Sequence, residues 1–241
     1  MKRCTYATAL ILLLTGSFAR AELLLIYYEN RVPYTQFRNG ALGGLLGEPA
    51  MAALTRAGIM LELREAPFNR HMALIEKNLE YACAVGRFKT PERLMLGKFS
   101  QPFYRDRPPV ALVRADNTKL KGINSLQALL ATPGLRLVQP EGYSYGEVLD
   151  SWMNNAKAQL VRVSESNLSL ARMVVRRLAD ASVFAAEEAE GLQALLRDEG
   201  VELALRHYPD APPGSLRYFF CSKQVDEVVM RRLDAAIIAP K

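Results

Sequence analysis

Two stretches of this sequence carry the residues best suited to chemistry. Arg87, Phe88, Lys89 and Arg93 fall within seven residues of one another. A planar guanidinium binds a carboxylate through two parallel hydrogen bonds, so a cluster of this kind suits an anionic ligand. Arg70 adds to the same charge. It sits in the first turn of an expected helix, where the helix dipole disfavours a cation, which points to a functional use. The second stretch is Gly142-Tyr143-Ser144, between an expected strand and an expected helix. Backbone N–H groups and a hydroxyl at a helix start can hold an anion. Tyr28, Tyr34, Phe88 and Tyr143 offer aromatic walls, and Glu187 offers an acid.

The same residues admit an enzyme reading. Gly142-Tyr143-Ser144-Tyr145-Gly146 fits G-x-S-x-G, and Asp180 and His207 follow in the order of a hydrolase triad. However, Pro140 and Glu141 separate the strand from Gly142, whereas a nucleophile elbow turns sharply off the strand end. Metal chemistry has little to stand on, since the two histidines, His71 and His207, and the cysteines are far apart. There is no phosphate-binding glycine motif either, so no cofactor is expected.

The chain has 241 residues, 31 basic and 25 acidic, for a net charge of +6. Its start reads as an export signal: basic Lys2 and Arg3, an apolar run from Ala7 to Leu14, and small residues before a cut after Ala21. Removing residues 1–21 takes away three basic residues and no acids, which leaves a net charge of +3. That is too little, and too dispersed, to suggest nucleic-acid binding. Cys83 and Cys221 remain as an even pair in an oxidising compartment, where a bridge is favoured but two free thiols are the alternative.

The elements that position these residues alternate. Leu23–Glu29, Met60–Ala66 and Tyr81–Val85 read as strands, separated by helices at Glu48–Arg56 and from Pro67 onward. The pattern restarts at Val110–Ala115 and continues through strands at Leu135–Val138, Leu160–Val163 and Ala181–Ala186. Helices fall at Tyr145–Asn155, Ser166–Leu178 and Glu187–Arg197. A proline-rich linker, Tyr208–Ser215, precedes one more strand and helix, which belong with the first unit. The expectation is an α/β fold of two lobes, each a mainly parallel sheet with flanking helices. Lobe 1 would be residues 22–115 plus 214–241 and lobe 2 residues 116–213, with hinge crossings near Ala115–Lys119 and Pro209–Gly214. Ligands bind outside the carboxyl ends of parallel strands, so the lobes would share one cleft.

Several runs resemble the family 3 extracellular solute-binding proteins, the amino-acid-binding partners of ABC importers, which have the periplasmic-binding-protein fold of type II. Lys89-Thr90-Pro91-Glu92-Arg93, followed by Phe99-Ser100-Gln101-Pro102-Phe103-Tyr104, is similar to the family's T-x-x-R and F-S-x-P-Y segments. The resemblance implies that Arg93 grips a ligand carboxylate. Leu137 to Ser144 resembles the family's second carboxylate-holding turn, and Tyr28, Pro33 and Tyr34 resemble its aromatic-proline run. The acid that the family offers to the ligand's ammonium would fall at Ala185, so that half of the site is altered. Glu187 and Glu188 follow on the next turn. Together these imply an exported, monomeric binding protein that closes on a small anionic or amino-acid-like ligand and is read by an ABC permease or a membrane receptor. The enzyme alternative on the same fold is a dehydratase of cyclohexadienyl acids, with Glu187 or Glu29 as its cleft acid.

Overall fold

A strand flanked by parallel neighbours has no solvent face, and Leu24–Tyr28 (β1) accordingly buries four of its five residues. The computed structural model describes residues 23–197, 200 and 202–240. The signal segment and its cut after Ala21 lie outside those residues. After β1 come a short hairpin, Gln36–Arg38 (β2) and Ala41–Gly43 (β3), and helix Gly44–Arg56 (α1). Leu61–Glu65 (β4), Phe68–Glu76 (α2), Ala82–Arg87 (β5) and Pro91–Leu96 (α3) follow, then two short strands, Lys98–Phe99 (β6) and Tyr104–Arg105 (β7). The second unit holds Pro109–Arg114 (β8), Leu126–Ala131 (α4), Arg136–Pro140 (β9), Glu147–Asn154 (α5), Gln159–Val163 (β10), Asn167–Val175 (α6), Ala181–Ala185 (β11), Ala186–Leu195 (α7) and Leu203–Arg206 (β12). Leu216–Cys221 (β13) and Glu227–Ala236 (α8) close the chain.

Apart from the β2-β3 hairpin, the strands form two sheets, one per lobe. The first runs β4-β1-β5-β13-β6, with β7 also on β13, and the second runs β10-β9-β11-β8-β12. Each has a three-stranded parallel part, β4-β1-β5 and β10-β9-β11, extended by antiparallel strands. Side chains alternate across β8: Ala111 and Val113 enter one core cluster of the second lobe, Val110 and Leu112 the other. Because β8 pairs with β11 and β12, it belongs to the second sheet. The first crossing is therefore residues 106–108, between β7 and β8, and not Ala115–Lys119 as the sequence suggested. The chain returns to the first sheet through residues 207–215, between β12 and β13.

The crossings lie side by side. Asp106 N–H donates to Ser215 O at 3.0 Å, and Arg105 Nη1 to Gly214 O at 3.2 Å. A Cβ on Gly214 would fall 1.6 Å from the Asp106 carbonyl oxygen, so only glycine permits this approach. Cys83 and Cys221 face each other across β5 and β13 and form a disulfide. No helix among the described residues is long and apolar enough to cross a membrane.

Candidate functional site

All six parallel strands aim their carboxyl ends at the gap between the lobes. The loop after β1 brings Glu29, Arg31 and Tyr34, the one after β4 brings Phe68, and the one after β5 brings Phe88 and Arg93. From the other side, β9 presents Gly142, Tyr143 and Ser144, β10 leads to Asn167, and β11 leads to Glu187 and Glu188. Gly86 sets the turn at the end of β5. Its φ is +72°, and a Cβ there would meet Leu46 Cδ1 at 2.5 Å, so the bend that turns Arg87 inward requires glycine.

The lobes are in contact. Arg31 donates through Nε and Nη2 to both oxygens of Glu188, each at 2.5 Å, and its guanidinium lies 5.1 Å from the Tyr34 ring and 5.4 Å from that of Tyr143. Burial lowers the Arg31 pKa, but Glu188 more than reverses this and carries it well above the usual value. Asn167 also donates to Glu188, at 2.6 Å. Arg217 makes a second buried pair with Asp106 and stacks 3.8 Å above Phe88.

Arg87 and Arg93 differ from these two. Arg87 is buried, and its Nη2 is 3.4 Å from Glu29. Its Nε is buried without a partner. Arg93 bonds no carboxylate: Nη1 donates to Phe88 O at 3.1 Å and Nη2 to Gly142 O at 3.4 Å. Both guanidiniums lie over Phe68, at 5.0 and 5.8 Å. Burial lowers both pKa values, and repulsion from neighbouring guanidiniums lowers them further. His71, behind Phe68, is held neutral by burial and by Arg87, its pKa lowered to about 2.

Tyr143 fills the cleft, its ring 4.3 Å from Phe68 and its hydroxyl donating to Glu29 at 3.4 Å. A cavity of about 40 Å3 remains beside it, bordered by Arg31, Phe88, Ser144, Glu188 and Arg217. That is room for about three waters. A larger opening of about 220 Å3 lies on the side of Glu29, Phe68 and Asn167.

Other residues picked from the sequence point away from the cavity or are held by other groups. Tyr28 faces the first-lobe core and stacks on Phe37 at 5.9 Å, because it sits on the far side of the strand. Arg70 is exposed on α2, outside the buried cluster. Glu187 accepts from Tyr104 Oη at 2.8 Å and from the Arg107 N–H at 3.1 Å, so it braces the first crossing. Ser144 Oγ donates to Asp150 at 2.5 Å and accepts from the Gly146 N–H at 3.1 Å. The triad for a hydrolase is not assembled: Asp180 is taken by Lys119 and the Arg136 N–H, and His207 is exposed. The sequence reading missed Arg31, whose one signal was its place in the aromatic-proline run it selected.

No known family pattern matches the sequence, and no curated protein is similar to it in sequence. Solved structures are similar in fold. An ancestral arginine-binding protein bound to arginine is 18% identical with a TM-score of 0.67, over 90% of this chain and 91% of its own. An ancestral amino acid-binding protein, a precursor of cyclohexadienyl dehydratase, is 20% identical with a TM-score of 0.67, over 90% and 88%. An amino acid ABC transporter substrate-binding protein from Streptococcus pneumoniae, bound to L-arginine, has the same identity and TM-score, over 90% and 87%. The chain thus has the two-lobed fold of these binding proteins along nearly its whole length.

Proposed function

We propose that the protein is an exported solute-binding protein of the family 3 type, which closes its lobes on a small carboxylate-bearing ligand for uptake by an ABC importer. The observation that carries this is the Arg87–Arg93 pair, two buried guanidiniums at the mouth of an interlobe cleft with no carboxylate bonded to Arg93 and no partner on Arg87 Nε. A buried cation without a counter-ion is costly, and a ligand anion relieves that cost. The fold neighbours support the reading, since they include an importer's substrate-binding protein that binds L-arginine. Closure gains population because only the closed form lets one ligand touch both lobes. Arg93 and Arg87 would hold the carboxylate from the first lobe. Gly142, Tyr143 and Ser144 would meet it from the second once Tyr143 swings aside.

The test is a thermal-shift screen of residues 22–241 against carboxylates, phosphates and amino acids. A ligand at 100 times its dissociation constant adds ~2.7 kcal/mol, a rise of roughly 5–10 °C for a chain of this size. Arg93→Ala should weaken a carboxylate hit by about 2 kcal/mol, roughly thirtyfold. A flat screen, or unchanged affinity in Arg93→Ala, would overturn the assignment.

A further inference from the structure

We propose that the cleft selects a carboxylate monoanion that carries no ammonium group, in contrast to a zwitterionic amino acid. This rests on the reading above that the cleft binds a small carboxylate.

The argument is a count of charges and their partners. Four guanidiniums meet at the cleft: Arg87, Arg93 and Arg217 are buried and Arg31 is partly buried. Three carboxylates bond them. Glu188 belongs to Arg31 and Asp106 to Arg217, each through two short bonds. Glu29 is left for Arg87 and Arg93 together, reaches only Arg87, and does so at 3.4 Å. Arg93 is therefore left without a bonded carboxylate, and Arg87 has only a long one. A ligand carboxylate would supply the missing partner.

An ammonium would have to compete for a carboxylate, since each acid of the cleft already accepts from donors of the protein. Glu188 receives Arg31 and Asn167. Glu187 receives Tyr104 and the Arg107 N–H. Asp150 receives Ser144 and the Tyr145 N–H. Glu29 receives the Phe68 N–H, Tyr143 and Arg87, so an ammonium beside it would face Arg87 as well. At the end of β11, where the resemblance would place an ammonium-binding acid, the chain has Ala185. An unpaired ammonium carries the full desolvation cost of a buried charge. An uncharged oxygen does not. Keto and hydroxy acids fit this description.

The experiment measures affinity by calorimetry on residues 22–241 for matched pairs that differ in the amino group: acetate against glycine, phenylpyruvate against L-phenylalanine, and 4-methylpentanoate against L-leucine. The expected result is that the amine-free member of at least one pair binds, at least tenfold tighter than its amino acid. Arg87→Gln should then abolish that preference by removing one of the two cations and freeing Glu29, with circular dichroism showing the variant folded. An amino acid that binds as tightly as or tighter than its amine-free partner overturns this inference and leaves the solute-binding reading standing. Binding by neither member of any pair overturns the carboxylate reading itself, and the inference with it.

Discussion

Replacing Glu188 with glutamine should open the ligand-free protein. Glu188 is on α7 of the second lobe, and Arg31 is on the loop after β1 of the first, so their pair is a clasp between lobes. The Glu188 carboxylate is almost fully buried, at 2% exposure, and takes Nε and Nη2 of Arg31 at 2.5 Å each. A hydrogen bond to a charged group is worth about 1.5–3 kcal/mol net, and in the open form both ions regain water. The glutamine amide would keep the shape but offer Arg31 one oxygen and no charge. The closed form should then lose about 2–3 kcal/mol, a fall in the closed-to-open ratio of roughly 30- to 150-fold at 1.4 kcal/mol per factor of ten. Small-angle scattering and energy transfer between dyes on the two lobes measure this directly. The wild type should be compact without ligand and the variant expanded, and ligand association should quicken because entry needs the open form. A double-mutant cycle with Arg31→Gln isolates the pair. The reasoning fails if ligand-free Glu188→Gln scatters like the wild type, or if the wild type is already open.

Two further outcomes concern stability. His71 is fully buried between Tyr27 and Phe68, near Arg87 and Arg93, and its pKa is lowered to about 2. The unfolded chain then binds more protons than the folded one below the ordinary histidine value of ~6.5, so stability falls as pH drops through that window. At pH 4.5 the loss from this residue is about 3 kcal/mol, and melting curves of His71→Gln should show a correspondingly weaker acid dependence; equal slopes in variant and wild type would refute this. The Cys83–Cys221 disulfide spans 138 residues of chain, a loop for which restricting the unfolded state gives ~5 kcal/mol at most. Replacing both cysteines with alanine should cost about 2–5 kcal/mol, at roughly 2–4 °C of Tm per kcal/mol, and an unchanged Tm would exclude the effect.

Much of the fold could be read from the sequence because parallel strands and amphipathic helices leave strong periodic marks. Leu24–Tyr28 is a continuous apolar run for the reason that it is buried between β4 and β5. What periodicity cannot say is which sheet a strand joins. Val110–Arg114 would look the same in either lobe, and its place was decided by distant partners in β11 and β12. β12 itself escaped notice because a short edge strand with a half-buried pattern has little apolar signal. At the site, residues given by a local motif were found more readily than those given by a distant partner. Arg93 stands in a recognisable segment, but Arg31 looks like an ordinary loop arginine until Glu188 is brought to it across 157 positions. Glu187 and Glu188 are adjacent, yet they are turned about 100° apart on α7. One braces the crossing at Arg107, and the other holds the clasp.

The arginines of the cleft divide by where their counter-charge comes from. Arg217 has Asp106, from the first crossing beside its own strand, and the pair fixes the hinge region. Arg31 takes its acid from the other lobe, so its charge is satisfied only on closure, and its energy is spent on bringing the lobes together. Arg87 and Arg93 are on one lobe, close enough to repel each other, with one distant acid between them. Desolvating a cation costs several kcal/mol unless a partner offsets it. The first two sites offset that cost within the chain, and the third leaves it outstanding. An outstanding cost in the ligand-free protein becomes affinity when an anion arrives, because binding recovers what folding did not. Replacing Arg93 with an uncharged amide, by Arg93→Gln, should therefore raise the ligand-free Tm and weaken carboxylate binding together, as melting curves with and without ligand would show.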